Sequence, residues 1–215
     1  MKKIVIELTG TFFLVFCGTG AIVINQESGG AITHAGIAIT FGLIVMSLIC
    51  ALGDVSGAHF NPAVSIAFTV AKKFPVRGLL PYITAQLIGA TAASFLLKFL
   101  FPANELLGAT MPAGSEVQSL ILEFFLTFLL MLVIMKVAHG SKETGMFAGI
   151  AIGSVVLLEA MFAGPVCGAS MNPARSFGAA IASMHFEHLW LYLVAPTVGA
   201  IAAIFLYNYL KTENK

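Results

Sequence analysis

Six long stretches of the chain are nearly free of charge: Ile4–Ile24 (broken only by Glu7), Ile32–Leu52, Gly78–Leu97, Val117–Val137, Met146–Ala163 and Leu189–Leu210. Each is close to the ~20 apolar residues that a helix needs to cross a bilayer. Composition agrees, with 59% hydrophobic and 10% charged residues, where a soluble domain carries about 25% charged. Such a chain cannot dress a water-facing surface. With a net charge of +1 it is no nucleic-acid binder, and it is neither a disordered tail nor a secreted disulfide scaffold. Alternating ten-residue strands are absent, which argues against a β-barrel. The first stretch is too long for a cleavable signal, holds Glu7 and is followed by five more, so it reads as a retained span. Cys17, Cys50 and Cys167 lie in apolar surroundings and read as small hydrophobes rather than a disulfide framework.

Two further apolar stretches, Asn61–Ala71 and Asn172–Met184, are too short to cross. As helices they reach roughly 16–20 Å, about half to two-thirds of a ~30 Å hydrocarbon core. They follow the second and fifth long stretches, and paired short segments at corresponding places point to a site inside the membrane. Nine of the eleven Lys and Arg (Lys2, Lys3, Lys72, Lys73, Arg77, Lys136, Lys142, Lys211 and Lys215) fall on one side if there are six spans. The positive-inside bias then places both termini in the cytoplasm.

The octets Gly57-Ala58-His59-Phe60-Asn61-Pro62-Ala63-Val64 and Gly168-Ala169-Ser170-Met171-Asn172-Pro173-Ala174-Arg175 agree at five positions, 111 residues apart. Glu7 and Glu123, each early in the first span of its half, stand 116 apart. The expected fold is an all-α integral membrane protein: six transmembrane helices plus two re-entrant half-helices in one domain, residues 1–215. Its halves, about 1–105 and 116–215, each hold three spans and therefore enter from opposite sides as an inverted repeat.

Asn-Pro-Ala is a helix start, with Asn as N-cap and Pro at the first helical position. Two half-helices then meet with their positive ends facing. Non-helical backbone at that depth survives only when buried in protein or lining a water-filled cavity. The loops around Gly57, Ala58 and His59 and around Gly168 and Ser170 are therefore expected to line a lumen with their backbone. Asn61 and Asn172 offer amide donors there. Two positive helix ends oppose cations and protons.

These residues resemble the aquaporins, or major intrinsic proteins, through the doubled Asn61-Pro62-Ala63 and Asn172-Pro173-Ala174 with Arg175 after the second. The resemblance covers nearly the whole chain and is strongest to the nodulin-26-like branch. Thr33-His34-Ala35-Gly36-Ile37-Ala38, the stretch from Ser56 to Ala67, Lys72-Lys73-Phe74-Pro75, the segment from Ala163-Gly164-Pro165 to Gly178, and Tyr192-Leu193-Val194-Ala195-Pro196 carry it. Ser176 follows Arg175 where the glycerol-facilitator branch has Asp. The resemblance implies a homotetramer with one pore per subunit. It also implies a second constriction at Phe41, Ala160, Ala169 and Arg175. Strictly water-selective members usually have His at the position of Ala160, and the nodulin-26-like branch usually has Trp at that of Phe41. Two alanines widen the ring. The expectation is a passive channel for water and small uncharged solutes (glycerol, urea, ammonia, metalloid hydroxides) that excludes ions. A strictly water-selective pore and an ion-coupled transporter are the rivals. No catalytic or metal constellation and no cofactor is expected, and the short termini suit a plasma membrane.

Other residues have two readings each. An intramembrane cation at Arg175 reads as functional. Glu7 and Glu123 could relay protons or, as their symmetry and the family favour, accept hydrogen bonds from the loops' N–H groups. Glu159 either pairs with Arg175 or faces a neighbouring helix or subunit; adjacent helical residues point about 100° apart, which favours the second. His59 could gate with pH or simply pack its loop. Cys167 is a candidate reactive thiol or inert packing. Gly145, Gly149 and Gly153 form a small-residue face for close packing. His34, His139, His185 and His188 are too dispersed for a metal or a catalytic dyad.

Overall fold

The computed structural model describes residues 1–138 and 145–212. They form α1 (Lys2–Glu27), α2 (Thr33–Ser56), α3 (Pro62–Val70), α4 (Val76–Leu100), α5 (Glu116–Ala138), α6 (Ala148–Cys167), α7 (Pro173–Ser183) and α8 (Leu189–Thr212), with no strand among the described residues. Six of these helices are long and apolar enough to cross a membrane. The other two, α3 and α7, have nine and eleven residues and span only about 14 and 17 Å. Lys142 and Lys215, counted above for orientation, and His139 lie outside the described residues.

Most spans run a few residues past the apolar stretches, because polar end residues continue a helix once it reaches the headgroup region. The fifth span departs more, since α6 carries on through Gly164 and Pro165 to Cys167. Proline removes one helical N–H and leaves the carbonyl four residues back without its donor. Here that carbonyl belongs to Met161, and the His34 ring nitrogen Nε2 sits 2.8 Å from it. His34 takes over the missing bond from α2, so the helix is not forced to stop.

The packing repeats at offsets of 110 and 116 residues, close to those of the octets and the two glutamates. In the first half α1 lies along α4, and in the second α5 lies along α8. Gly89 of α4 accepts the Leu8 carbonyl of α1 where a Cβ would have to be, and Gly199 of α8 accepts the Phe124 carbonyl of α5 in the same way. The Tyr82 hydroxyl donates to the Ser56 carbonyl and the Tyr192 hydroxyl to the Cys167 carbonyl, both at 2.8 Å, closing the end of α2 and α6 respectively. The halves join along α2 and α6. These cross where Gly42 and Gly153 face each other: a Cβ on Gly153 would lie 2.6 Å from the Gly42 carbonyl oxygen, and one on Gly42 2.7 Å from that of Gly153. Backbone approach of this kind is how helices gain dispersion contact where lipid removes the hydrophobic driving force. Gly149 likewise packs on Met46 and Cys50, whereas Gly145 borders the cavity described below. Each short helix packs mainly on the last span of the other half, α3 on α8 and α7 on α4. The exchange locks the halves together.

Valine at Gly89 or Gly199 meets backbone that no side-chain rotation can clear. Each substitution should lower the heat-aggregation midpoint of the detergent-solubilised protein, by overpacking worth about 1–3 kcal/mol or more. Gly53→Ala should leave it unchanged or raise it, since the nearest atom to a Cβ there is Ile49 Cγ2 at 3.9 Å.

Candidate functional site

Between α2 and α3, and again between α6 and α7, the chain leaves the helix and turns back. Gly57 (φ 91°) and Gly168 (φ 81°) end the helices in the left-handed region that glycine alone enters without penalty. Ala58 and Phe60 (both φ 49°), and Ala169 (φ 40°) and Met171 (φ 53°), then hold positive φ despite their side chains. Each such residue costs about 1–2 kcal/mol, so something must over-determine these loops. It is the glutamates. Glu7 Oε1 accepts from the His59 N–H at 3.0 Å and Oε2 from the Phe60 N–H at 2.8 Å. Glu123 accepts from the Ser170 and Met171 N–H groups at 2.7 and 2.8 Å. Both carboxylates are fully buried.

The first carboxylate has two more donors, Ser56 Oγ and Gln86 Nε2, each at 2.8 Å. Gln86 also donates to Ser65 Oγ. Gln86 and Tyr82 belong to no motif in the sequence, and Ser56 and Tyr192 enter only within stretches that carry the family resemblance. For the tyrosines a signal existed, since they stand 110 residues apart, near the octet offset. Gln86 has no counterpart in the second half, where Pro196 stands at that offset, and no sequence signal marks it.

The asparagines do two jobs. With extended φ of −155° and −146°, Asn61 and Asn172 cap α3 and α7 through their side-chain oxygens, which accept from Ala63 N at 2.9 Å and Ala174 N at 3.0 Å. Pro62 and Pro173 follow at the first helical position. Their side-chain nitrogens reach across the fold: Asn61 Nδ2 donates to the Met171 carbonyl at 2.7 Å and Asn172 Nδ2 to the Phe60 carbonyl at 2.9 Å. From sequence alone both amides are expected to donate to a passing molecule. One hydrogen of each is instead spent on the opposite loop, leaving one per amide for anything in the lumen.

A cavity of about 600 Å³ runs past both asparagines. Gly57, Ala58, His59 and Phe60 border it from one loop, and Ala169, Ser170 and Met171 from the other. Apolar side chains at helical spacing form much of the wall: Phe41, Val45 and Ile49 of α2, Leu130, Ile134 and Val137 of α5, and Ile152 and Val156 of α6. Gly168 is not among the bordering residues; it packs on Thr110.

Three of the four positions assigned to the second constriction border this cavity, namely Phe41, Ala169 and Arg175. The Arg175 guanidinium carbon lies 5.7 Å from the Phe41 ring centroid, within cation–π range. Its Nε and Nη1 have no hydrogen-bond partner although the residue is buried. Ala160 does not border the cavity, whose α6 wall stops at Val156; it stands one turn further on the same helical face. Glu159, its neighbour, is buried and has no hydrogen bond on either oxygen, so it makes no pair with Arg175.

His59 packs its ring among Phe68, Phe74 and Tyr82, with centroids 4.8, 4.9 and 5.1 Å away, and Nδ1 lies 3.0 Å from Ser65 Oγ. Ser176 lies 2.6 Å from Ser170 Oγ and accepts from Thr110 Oγ1 at 2.8 Å, tying the second loop to the segment before α5. Cys167 is fully buried, with its thiol directed at the Ala163 carbonyl, whereas Cys50 is exposed and borders the cavity.

Residues 1–207 match the model of the family described as "Major intrinsic protein". Aquaporin NIP1-1 of Oryza sativa subsp. japonica is 47% identical over 216 residues, covering 100% of this chain and 76% of that protein. Nodulin-26 of Glycine max is 45% identical over 216 residues, covering 100% of this chain and 80% of its own. Among solved structures, the aquaglyceroporin from Plasmodium falciparum superposes with a TM-score of 0.85 at 25% identity, over 96% of this chain and 94% of that one.

Glu123→Leu strands two buried N–H groups, each costing about 1–3 kcal/mol, and should lower the thermal midpoint markedly. Glu123→Gln keeps one acceptor oxygen and should lose about half as much. A membrane-impermeant cationic thiol reagent applied to open membranes should label Cys50 and reduce flux. Cys50→Ser should abolish the block and Cys167→Ser should leave it intact.

Proposed function

The chain belongs to the major intrinsic protein family of aquaporin channels, and from that premise we propose that it conducts water together with small uncharged solutes such as glycerol, urea, ammonia and neutral metalloid hydroxides. One observation supports the reading: the small side chain of Ala169 borders the lumen where a hydrogen-bonding group would narrow the passage. Ala169 borders the lumen beside Phe41 and Arg175, and Ala160 continues the lumen-facing side of α6. Pore width and lining groups set selectivity in such channels. An alcohol or amide finds matching chemistry along the wall, with loop carbonyls and asparagine amides for its polar edge and a face of valine, isoleucine and phenylalanine for its carbons. That one solved relative is titled an aquaglyceroporin supports the same reading.

Cations are refused on electrostatic grounds. The N-termini of α3 and α7 present their positive ends to the lumen beside Asn61 and Asn172, and Arg175 adds a full charge. In this reading Asn61, Pro62, Ala63, Asn172, Pro173 and Ala174 build the central contact. Phe41, Ala160, Ala169 and Arg175 build the filter. Glu7 and Glu123 hold the loops rather than relay protons, because their oxygens are already committed to loop N–H groups.

The protein works in a plasma membrane, as one domain of two inverted repeats, residues 1–105 and 116–215. Lys2, Lys3, Lys72, Lys73 and Arg77 face the cytoplasm with both termini, as the positive-inside bias requires. The family relation supports a homotetramer.

Stopped-flow swelling of proteoliposomes tests the solute range. Wild type should pass water, glycerol and urea without saturation and without carrying protons. Ala160→His should cut glycerol flux by about tenfold or more while water flux persists, as expected when a side chain enters a pore of one-molecule width. Water flux with no glycerol or urea flux in the wild type would identify a strictly water-selective pore instead.

A further inference from the structure

The helix α1 carries Gly10, Leu14 and Gly18 at four-residue spacing, so all three share one face. Leu14 borders the cavity, and the two glycines receive aromatic rings from other elements: Phe60 at Gly10 and Phe41 at Gly18. Gly18 is buried and does not itself border the cavity. A Cβ there would lie 2.5 Å from Cδ1 and 2.6 Å from Cζ of Phe41, and closer still to Cε1. Real Cβ atoms do not approach carbon so closely, so any side chain at this position displaces the ring.

The ring borders open space on its cavity side. On the other side of α2, next to Phe41 in the chain, a Cβ on Gly42 would lie 2.5 Å from Leu157 Cβ and 2.7 Å from the Gly153 carbonyl oxygen. The backbone carrying Phe41 therefore has no slack toward α6. The free space beside the ring is the cavity it borders, at the level where Arg175 lies 5.7 Å from its centroid.

We propose that Gly18 is a specificity-determining residue: by leaving a notch for the Phe41 ring, it holds the passage at Arg175 open without touching the solute. It acts through Phe41 and is thus a positioning residue. The inference rests on the wide-filter reading given above, in which glycerol-sized molecules pass this point.

The test compares wild type, Gly18→Ala, Phe41→Ala and the double variant in proteoliposomes, with water, urea and glycerol measured on each. Gly18→Ala should cut glycerol flux about tenfold while water flux falls by less than about twofold. The double variant should regain the glycerol flux of Phe41→Ala alone, because the displaced ring is gone. Equal loss of water and glycerol in Gly18→Ala, or a double variant no better than Gly18→Ala, would overturn the proposal and leave Gly18 as a packing residue. If Gly18→Ala does not assemble but the double variant does, the ring is confirmed as the group that the notch serves. If neither assembles, the proposal fails. A wild type that passes neither glycerol nor urea refutes the wide filter separately. Gly18 is then judged on water alone: flux lost in Gly18→Ala and restored in the double variant upholds the notch, and no loss or no restoration overturns it.

Discussion

Everything in the molecule depends on a backbone that is not helical at a depth where water is scarce. Unpaired N–H groups in such a place cost about 1–3 kcal/mol each, and the loops at 57–60 and 168–171 hold strained positive φ as well. Two buried carboxylates meet the requirement, each accepting two consecutive N–H groups. With those N–H groups turned toward Glu7 and Glu123, the loops lie along the lumen wall. The same hydrogen bonds that make the loops possible therefore leave polar backbone beside a passing molecule.

Hydrocarbon makes much of this legible from sequence. The spans could be read because a helix in lipid must be long and apolar, and α3 and α7 because they are apolar yet short. For Glu7 and Glu123 the loop-supporting reading rests on symmetry together with the family resemblance, since a charge placed early in the first span of both halves has a common structural duty. The end of α6 was harder to see. Gly164-Pro165 looks like a stop, and only the His34 contact to the Met161 carbonyl, 127 residues away in sequence, cancels it.

The least legible features are those where one side chain serves two partners. Asn61 reads as a cap because capping is local, but its amide bond to Met171 joins residues 110 apart. Nothing in the octet itself announces that the two motifs brace each other. The four positions assigned to a second constriction come from family resemblance alone. Phe41, Ala169 and Arg175 meet at the cavity, while Ala160 sits a turn beyond it, because a helical face continues past the point where the lumen wall ends. Glu159 illustrates the opposite case. Its offset of about 100° from Ala160 turns it from Arg175, and both its oxygens are buried without a hydrogen bond, which no pattern in the sequence announces.

The crossed asparagine bonds also bear on how the chain is made. During synthesis from the N-terminus, Glu7 meets every one of its partners by residue 86, so the first loop can set before the second half exists. Asn61 must wait for Met171, and Phe60 for Asn172. Until then a half-built subunit holds a finished carboxylate cradle beside an open seam, which closes only once residues 171 and 172 have been made.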